Sequence, residues 1–369
     1  MMLFTPGPTP VPEDIRFAMS QETIHHRTKE FEEIFKNARE NLNKIVQSEE
    51  IIFLASSGSG ALEASVINFC KNKALVINAG KFGDRFSKIV KSYNKELVEL
   101  KYEWNTPASV EDVKKALTEH NDIDTICIQI SESAGGLRHP VEEIAKLAKE
   151  INKNITIIAD GITALLVEPI DVTNIDVLIS GSQKALMLPP GLALLALSKK
   201  AVDDLESNGG AGFYFNLATE LKKQKQNTTA WTAPTTLIIG LKAVLDKLFD
   251  YGVYANYTDT YQRAKATRLA LESIGLKIYP KTPANSMTTI EHEKSNEIRA
   301  VLKDKYDVNI AGGQDHLKGK IFRINHMGFI KMYEACWVVN AIEMSLDELG
   351  IREFDGLANR TFLNFYKKA

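Results

Sequence analysis

Six short runs of the chain are apolar at almost every position: EIIFLA (50–55), KALVINA (73–79), IDTICIQI (123–130), ITIIAD (155–160), IDVLIS (175–180) and LALLALS (192–198). A strand with one wet face alternates apolar and polar residues, so unbroken runs of this length predict strands buried on both faces. Between several of them the apolar positions recur three and four residues apart, as in ALEASVINFCKN and VEEIAKLAKEIN, which predicts amphipathic helices. Strand, helix and strand repeated in this order predict an α/β domain around a mainly parallel sheet. After about residue 250 the pattern changes. A long helical spacing from Asn256 to Ile274 leads into short strand-like pieces, NSMTTIEH and KIFRINHMG, and then into closing helices. The expected division is an arm over residues 1–20, a large domain over 21–252 and a smaller α+β domain over 253–369.

The arm carries PGPTPVP, too rich in proline and glycine for a helix or a central strand. By itself this reads as a rigid surface segment. The start of the chain has no basic flank and no long apolar core, so it does not read as a signal peptide. No apolar stretch is long enough to span a bilayer. Forty-five basic and forty-seven acidic side chains leave a formal charge of −2. With no block of one sign, neither nucleic acid nor an anionic membrane is an expected partner. The three cysteines, Cys70, Cys127 and Cys336, are far apart in sequence, which suits a reducing compartment and gives no zinc or disulfide framework. The histidines show no metal-ligand spacing. A cytoplasmic protein is the expectation.

In a parallel α/β sheet, ligands gather where the strands end and turn into helices. After IIFLA come Ser57, Gly58, Ser59 and Gly60, opening a helix. Small residues there let backbone N–H groups approach an anion at the positive end of the helix dipole, though the same turn serves as an ordinary cap. It is not a P-loop, because no Gly-Lys-Ser/Thr follows, and Glu63 stands where a dinucleotide fingerprint needs its third glycine. After ITIIA comes Asp160, a carboxylate at the end of a buried strand, which must cap a turn, find a cation or change its pKa. After IDVLIS come Ser182, Gln183 and Lys184. A lysine held against an apolar site loses preference for its charged form and becomes a candidate amine nucleophile toward a carbonyl. Any one of these has a bland reading; their order on one sheet is the informative feature.

These residues resemble the class V aminotransferases, a branch of the fold-type-I pyridoxal 5'-phosphate enzymes that includes alanine–glyoxylate and serine–pyruvate aminotransferases. The resemblance runs along essentially the whole chain, through TPGPTPVPEDI, IHHRTKEF, SSGSGALEA, NAGKFGDRF, SESAGG, ADGITAL, SGSQKALMLPPG and FRINHMG, with SGSQKAL-x-x-PPG the most specific piece. It implies a large domain with a mainly parallel sheet and a smaller C-terminal domain, and an N-terminal PGPTPVP segment that crosses near the active site and helps shape the substrate pocket. It also implies that Lys184 forms the internal aldimine with the cofactor and that Asp160 pairs with the pyridinium nitrogen. Ser57, Gly58, Ser59 and Gln183 match the phosphate-binding segments. Phe82 matches an aromatic residue, often Trp, stacked on the pyridine, and Ile162 packs on its other face. Ser133 falls in the loop near the phenolic oxygen. Thr232 matches a threonine lent to the phosphate by a second subunit, implying a homodimer with shared sites, and Thr229 falls at a more variable position beside it. Arg323 matches the arginine that grips the substrate α-carboxylate, for which a guanidinium fork is suited.

The implied activity is ping-pong transfer of an amino group from a small L-amino acid, alanine or serine, to glyoxylate or pyruvate. An aspartate donor stays open. The alternatives are a class V lyase, or a specialised transaminase for an aminophosphonate or a ureido amino acid. A cysteine desulfurase needs a reactive cysteine in a mobile loop, whereas Cys336 lies in the helical pattern MYEACWVVNAIEM, and Cys70 and Cys127 read as buried. A cofactor-binding protein without activity is disfavoured because each matched position holds a usable residue. Phe82 in place of Trp, SESAGG and DGITAL depart from the commonest family pattern and bear on substrate identity.

Overall fold

The computed structural model describes residues 1–366. Seven strands form the main sheet, in the order Glu50–Leu54, Ala193–Leu197, Val177–Gly181, Thr156–Asp160, Thr125–Gln129, Lys73–Asn78 and Glu96–Lys101. Ala193–Leu197 is antiparallel to both of its neighbours, and the other pairings are parallel. All strands but Ala193–Leu197 therefore end at the same edge. Each of the six apolar runs forms a strand, and the expected α/β architecture is present.

The reason for the continuous apolarity is visible in the packing. Along Glu50–Leu54, Ile51 and Phe53 join one core while Ile52 and Leu54 join another, on the opposite face of the sheet. The first core is closed by helices Lys29–Val46, Val110–Glu119, Val141–Ile151 and Thr235–Tyr251; the second by Gly58–Phe69, Lys81–Ser92, Lys199–Asn208 and Leu217–Gln224. Burying an aliphatic side chain contributes about 1.5–3 kcal/mol, so both layers bind the sheet firmly. Glu96–Lys101 was not expected as a strand. Its sequence, ELVELK, mixes charge with apolar residues because it is an edge strand with no fully buried position.

A second sheet of five strands runs in the order Met2–Phe4, Val308–Gly312, Ile321–Asn325, Met287–Glu291 and Lys277–Ile278. It packs on helices Val253–Ser273, Ser295–Tyr306, Met332–Glu348 and Leu357–Tyr366 around a third core. The N-terminal segment is not a surface arm here. Met2–Phe4 adds a parallel strand to Val308–Gly312, with Met2 opposite Val308 and Phe4 opposite Ile310. Phe4, Pro6 and Thr9 are buried. Among the described residues no helix is long and apolar enough to cross a membrane.

Candidate functional site

The parallel strand ends place their following loops side by side. Ser182, just beyond Val177–Gly181, donates from its backbone N–H to the Leu192 carbonyl at 2.9 Å and from its hydroxyl to the Pro189 carbonyl at 2.7 Å. The Leu188 N–H returns to the Ser182 carbonyl at 3.0 Å. The Pro-Pro-Gly loop is thus folded back on its own strand, and Lys184 is held on a short, internally bonded turn. The N-terminal segment crosses over it. Thr9 donates its N–H to the Gln183 carbonyl at 3.1 Å and its hydroxyl to the Lys184 carbonyl at 2.7 Å. The Lys184 Nζ donates to the Pro6 carbonyl at 2.6 Å.

Burial pushes the Lys184 amine down to about 8, helped by the nearby Arg323 guanidinium and opposed by the Asp160 carboxylate. Asp160 is 4% exposed. Burial pushes its carboxyl up to about 6, against the Ile162 N–H, which donates to it at 2.9 Å, and against the charges of Lys184 and Arg85. With a pKa of about 8 the Lys184 amine is still mostly protonated at pH 7 but gives up its proton far more readily than an ordinary lysine, which suits a nucleophile near a buried acid.

Helix Gly58–Phe69 begins at this edge. Ser57 is its N-cap residue but its hydroxyl makes no capping bond, so the first turn keeps N–H groups for an anion. The turn is tightly built: a β-carbon at residue 58 would come within 2.4 Å of Ile162 Cδ1, and one at residue 60 within 1.9 Å of Ser56 Oγ. The Ser59 hydroxyl accepts from Arg85 Nη1 at 2.7 Å, and the Arg85 guanidinium lies 4.8 Å from the centre of the Phe82 ring. Phe82 and Arg85 both project from the first turns of Lys81–Ser92. Gln183 leaves its side-chain oxygen buried and unpartnered.

From the second sheet comes Arg323, in Ile321–Asn325 and 7% exposed. Its Nε and Nη2 donate to the Gly312 carbonyl at 3.1 and 2.7 Å, and its Nη1 donates to the Ser133 carbonyl at 2.6 Å. Burial brings its pKa down to about 10, so it stays a cation. Ser133 is itself buried. The structure therefore groups Ser57, Gly58, Ser59, Phe82, Ser133, Asp160, Ile162, Gln183, Lys184 and Arg323 along one edge. Thr232 stands apart: it is exposed, beside Phe53–Ala55 in the turn that precedes Thr235–Tyr251, and Thr229 is buried with its hydroxyl turned to the Trp231 carbonyl.

Two residues escaped the sequence reading. Arg85 lies three residues after Phe82, a spacing that puts a cation and an aromatic ring on one helix face. Glu132, two residues beyond the IDTICIQI run, is fully buried and accepts backbone N–H bonds from Phe82, Gly83 and Ala134. The strand-end logic that singled out Asp160 would have found it as well. Among the described residues no group of three or more His, Cys, Asp or Glu could hold a metal ion. Cys70 and Cys127 are buried, and the Cys336 thiol donates to Asn359.

Comparison with known proteins identifies the family. Residues 2–338 match the family model described as aminotransferase class-V. The chain is 51% identical, over 99% of both chains, to an uncharacterized aminotransferase of Helicobacter pylori. It is 27% identical to the serine–glyoxylate aminotransferase of Methylorubrum extorquens, covering 96% of this chain and 93% of that one. Among solved structures, an aspartate aminotransferase of subgroup IV from Thermus thermophilus superposes with a TM-score of 0.88 at 31% identity, covering 94% of this chain and 99% of that one. In sequence and in fold, this chain belongs to the class V aminotransferases.

Proposed function

We propose that the protein is a pyridoxal 5'-phosphate-dependent aminotransferase that moves an amino group from a small L-amino acid, alanine or serine, to glyoxylate or pyruvate in a ping-pong cycle. The observation that carries this reading is the Lys184 amine, held under the Pro6 carbonyl at 2.6 Å and brought down to about 8 near the buried Asp160. The residues present suit the cofactor. The uncapped first turn at Ser57, Gly58 and Ser59 offers backbone N–H groups to a phosphate, and the side-chain NH2 of Gln183 can donate to it. Asp160 offers a carboxylate to a protonated ring nitrogen, while Phe82 and Ile162 offer apolar surface to the ring. When bound, the cofactor supplies an aldehyde that takes up the amino group and a ring that accepts electron density.

The chain's own residues do the rest. Lys184 Nζ holds the aldehyde and, once released, carries the proton from the substrate Cα as base and returns it as acid; a pKa near 8 suits both tasks. Asp160 keeps a proton on the ring nitrogen through a charge-assisted hydrogen bond. Arg323 holds the α-carboxylate of amino and oxo acid alike, so one grip serves both half-reactions. The segment Pro6–Thr9, lying against Lys184, shields the amine from water.

The active unit we propose is a homodimer in which Thr232 of one copy completes the phosphate site of the other. Its exposure supports this, as does the adjoining aromatic patch, where Phe213 is 79% exposed and Trp231 stacks on Tyr214 with ring centres 5.9 Å apart. A fully active monomer in sedimentation would contradict it. We also propose the domain boundary at 252/253, at Gly252 between helices Thr235–Tyr251 and Val253–Ser273, and a cytoplasmic location suited to the free thiols.

The test is the visible spectrum of the purified protein, titrated with L-alanine, L-serine and L-aspartate and then with glyoxylate or pyruvate. Bleaching by a donor and recovery with an oxo acid support transamination, and the best pair names the substrates. A preference for aspartate would replace the small-donor reading. A lysine-linked cofactor that no donor bleaches would favour a lyase or a specialised transaminase.

A further inference from the structure

One buried carboxylate near the site has no part in the chemistry above. Glu132 has no exposed surface. Its Oε2 accepts from the backbone N–H groups of Phe82 at 2.9 Å and Gly83 at 3.0 Å, in the first turn of Lys81–Ser92. Its Oε1 accepts from the Ala134 N–H at 2.9 Å. The fit around it is close, since a β-carbon at Gly80 would come within 2.4 Å of Glu132 Cγ and Cδ.

The two oxygens therefore hold two different pieces of backbone. One piece begins the helix that presents Phe82 and, through Arg85, reaches Ser59. The other is the loop whose Ser133 carbonyl accepts from Arg323 Nη1. An ionised carboxylate accepts at both oxygens and donates at neither, and a helix N-terminus favours negative charge. Burying a carboxylate is costly unless it is well bonded; here burial raises its pKa to about 7 while the three N–H groups draw it down. Its bonds go to the backbones that carry the ring-stacking and carboxylate-gripping residues, and to nothing that reacts.

We propose that Glu132 is a positioning residue that couples the two halves of the site, tying the Phe82 helix and the Arg323-bearing loop contact to one side chain so that cofactor ring and substrate carboxylate are held in fixed relation. This rests on the reading of Lys184 as the cofactor lysine and Arg323 as the carboxylate grip. Glu132→Gln keeps the size of the side chain but offers one carbonyl oxygen, and turns an NH2 group toward N–H donors at the other end. One of the two ties must break.

The experiment compares wild type, Glu132→Gln and Gly80→Ala, the last pressing a methyl group on the Glu132 carboxyl while leaving every polar group in place. Three quantities are read: borohydride-fixed cofactor on Lys184, visible circular dichroism of the bound cofactor, and KM and kcat for a pyruvate acceptor. The expected result is unchanged capture on Lys184, together with at least a twofold change in the dichroic band, a tenfold or larger rise in KM, or both. The first reports the Phe82 side and the second the Arg323 side, with kcat falling less than KM rises. Gly80→Ala should move the same quantities in the same direction, and it decides the matter if Glu132→Gln does not fold. Wild-type dichroism and wild-type KM in a folded variant that captures the cofactor overturn the proposal alone. Absence of a lysine-linked cofactor in the wild type overturns it together with the reading it rests on.

Discussion

Gly7→Ala is the sharpest probe of how the N-terminal segment meets Lys184. Gly7 sits at φ +131°, where residues with a side chain are strained, and such conformations cost on the order of 1–3 kcal/mol. The new methyl carbon would lie 2.4 Å from Lys184 Nζ, 2.7 Å from Cδ and 2.8 Å from Cε. Carbon contacts are comfortable at about 3.5–4.0 Å, so the amine must leave its place or the segment must lift away. Either way the bond from Nζ to the Pro6 carbonyl is lost, and a hydrogen bond from a charged group contributes about 1.5–3 kcal/mol. The two effects add to roughly 2.5–6 kcal/mol of lost stability. Gly275→Ala is the matching control: φ is +83° and nothing lies within 4 Å of the added carbon, so it carries only a backbone cost of about 1–2 kcal/mol. Denaturant midpoints of the two cofactor-free variants isolate the lysine contact by difference, and borohydride trapping follows capture of the aldehyde on Lys184. Gly7→Ala should lose more stability than Gly275→Ala and trap cofactor at least tenfold more slowly. Equal stability losses with wild-type trapping would refute the placement of this segment over the lysine.

Lys184→Ala should abolish both the visible cofactor band and transamination; turnover at the wild-type rate would end the assignment. The same variant carries a pH signature. With the folded amine at about 8 and the ordinary value at 10.5, the folded state releases its proton first, so the cofactor-free wild type should gain stability from pH 8 to 10.5, and Lys184→Ala should lack that rise. Asp160 works in the opposite sense. Its folded carboxyl is raised from 3.8 to about 6, which contributes about 3 kcal/mol below pH 4 that is lost as pH rises through 6. Asp160→Asn should flatten the thermal midpoint of the cofactor-free protein across that window, where Lys184, Arg85 and Glu132 are its charged neighbours; an unaltered slope would place the titration elsewhere. Arg323→Ala should raise KM for amino and oxo acids by a common factor, about 2–5 kcal/mol for a buried charge pair, or roughly 30- to 5,000-fold. An unchanged KM would move the carboxylate grip to another residue.

What the chain shows on reading and what it hides follow from the range of the forces involved. The six apolar runs are legible because a strand covered on both faces leaves no position for a polar side chain, and the cores on either side of Glu50–Leu54 bear this out. Glu96–Lys101 was hidden because an edge strand obeys no such rule. Asp160 and Lys184 stood out because an ionisable group at the end of an apolar strand has few inexpensive explanations. Glu132 obeys the same logic, yet it sits in Ser-Glu-Ser, where a polar loop is the easier reading. Its partners, the N–H groups of Phe82, Gly83 and Ala134, carry no mark in the sequence because backbone donors are the same at every residue. The N-terminal segment shows another form of this limit: the family resemblance placed it near the active site without naming the atoms it meets. Proline and glycine told truly that PGPTPVP is neither helix nor central strand. The pairing of Met2–Phe4 with Val308–Gly312 joins residues from opposite ends of the chain through backbone atoms alone, and the Pro6 carbonyl takes its bond from the Lys184 side chain 178 residues away. Side-chain chemistry is written locally, so the lysine and the acid could be singled out in advance; Arg323 reads by itself as a strand-end surface charge, and only the family resemblance named it. The contacts that hold them in register are backbone contacts, and only the folded chain shows where they fall.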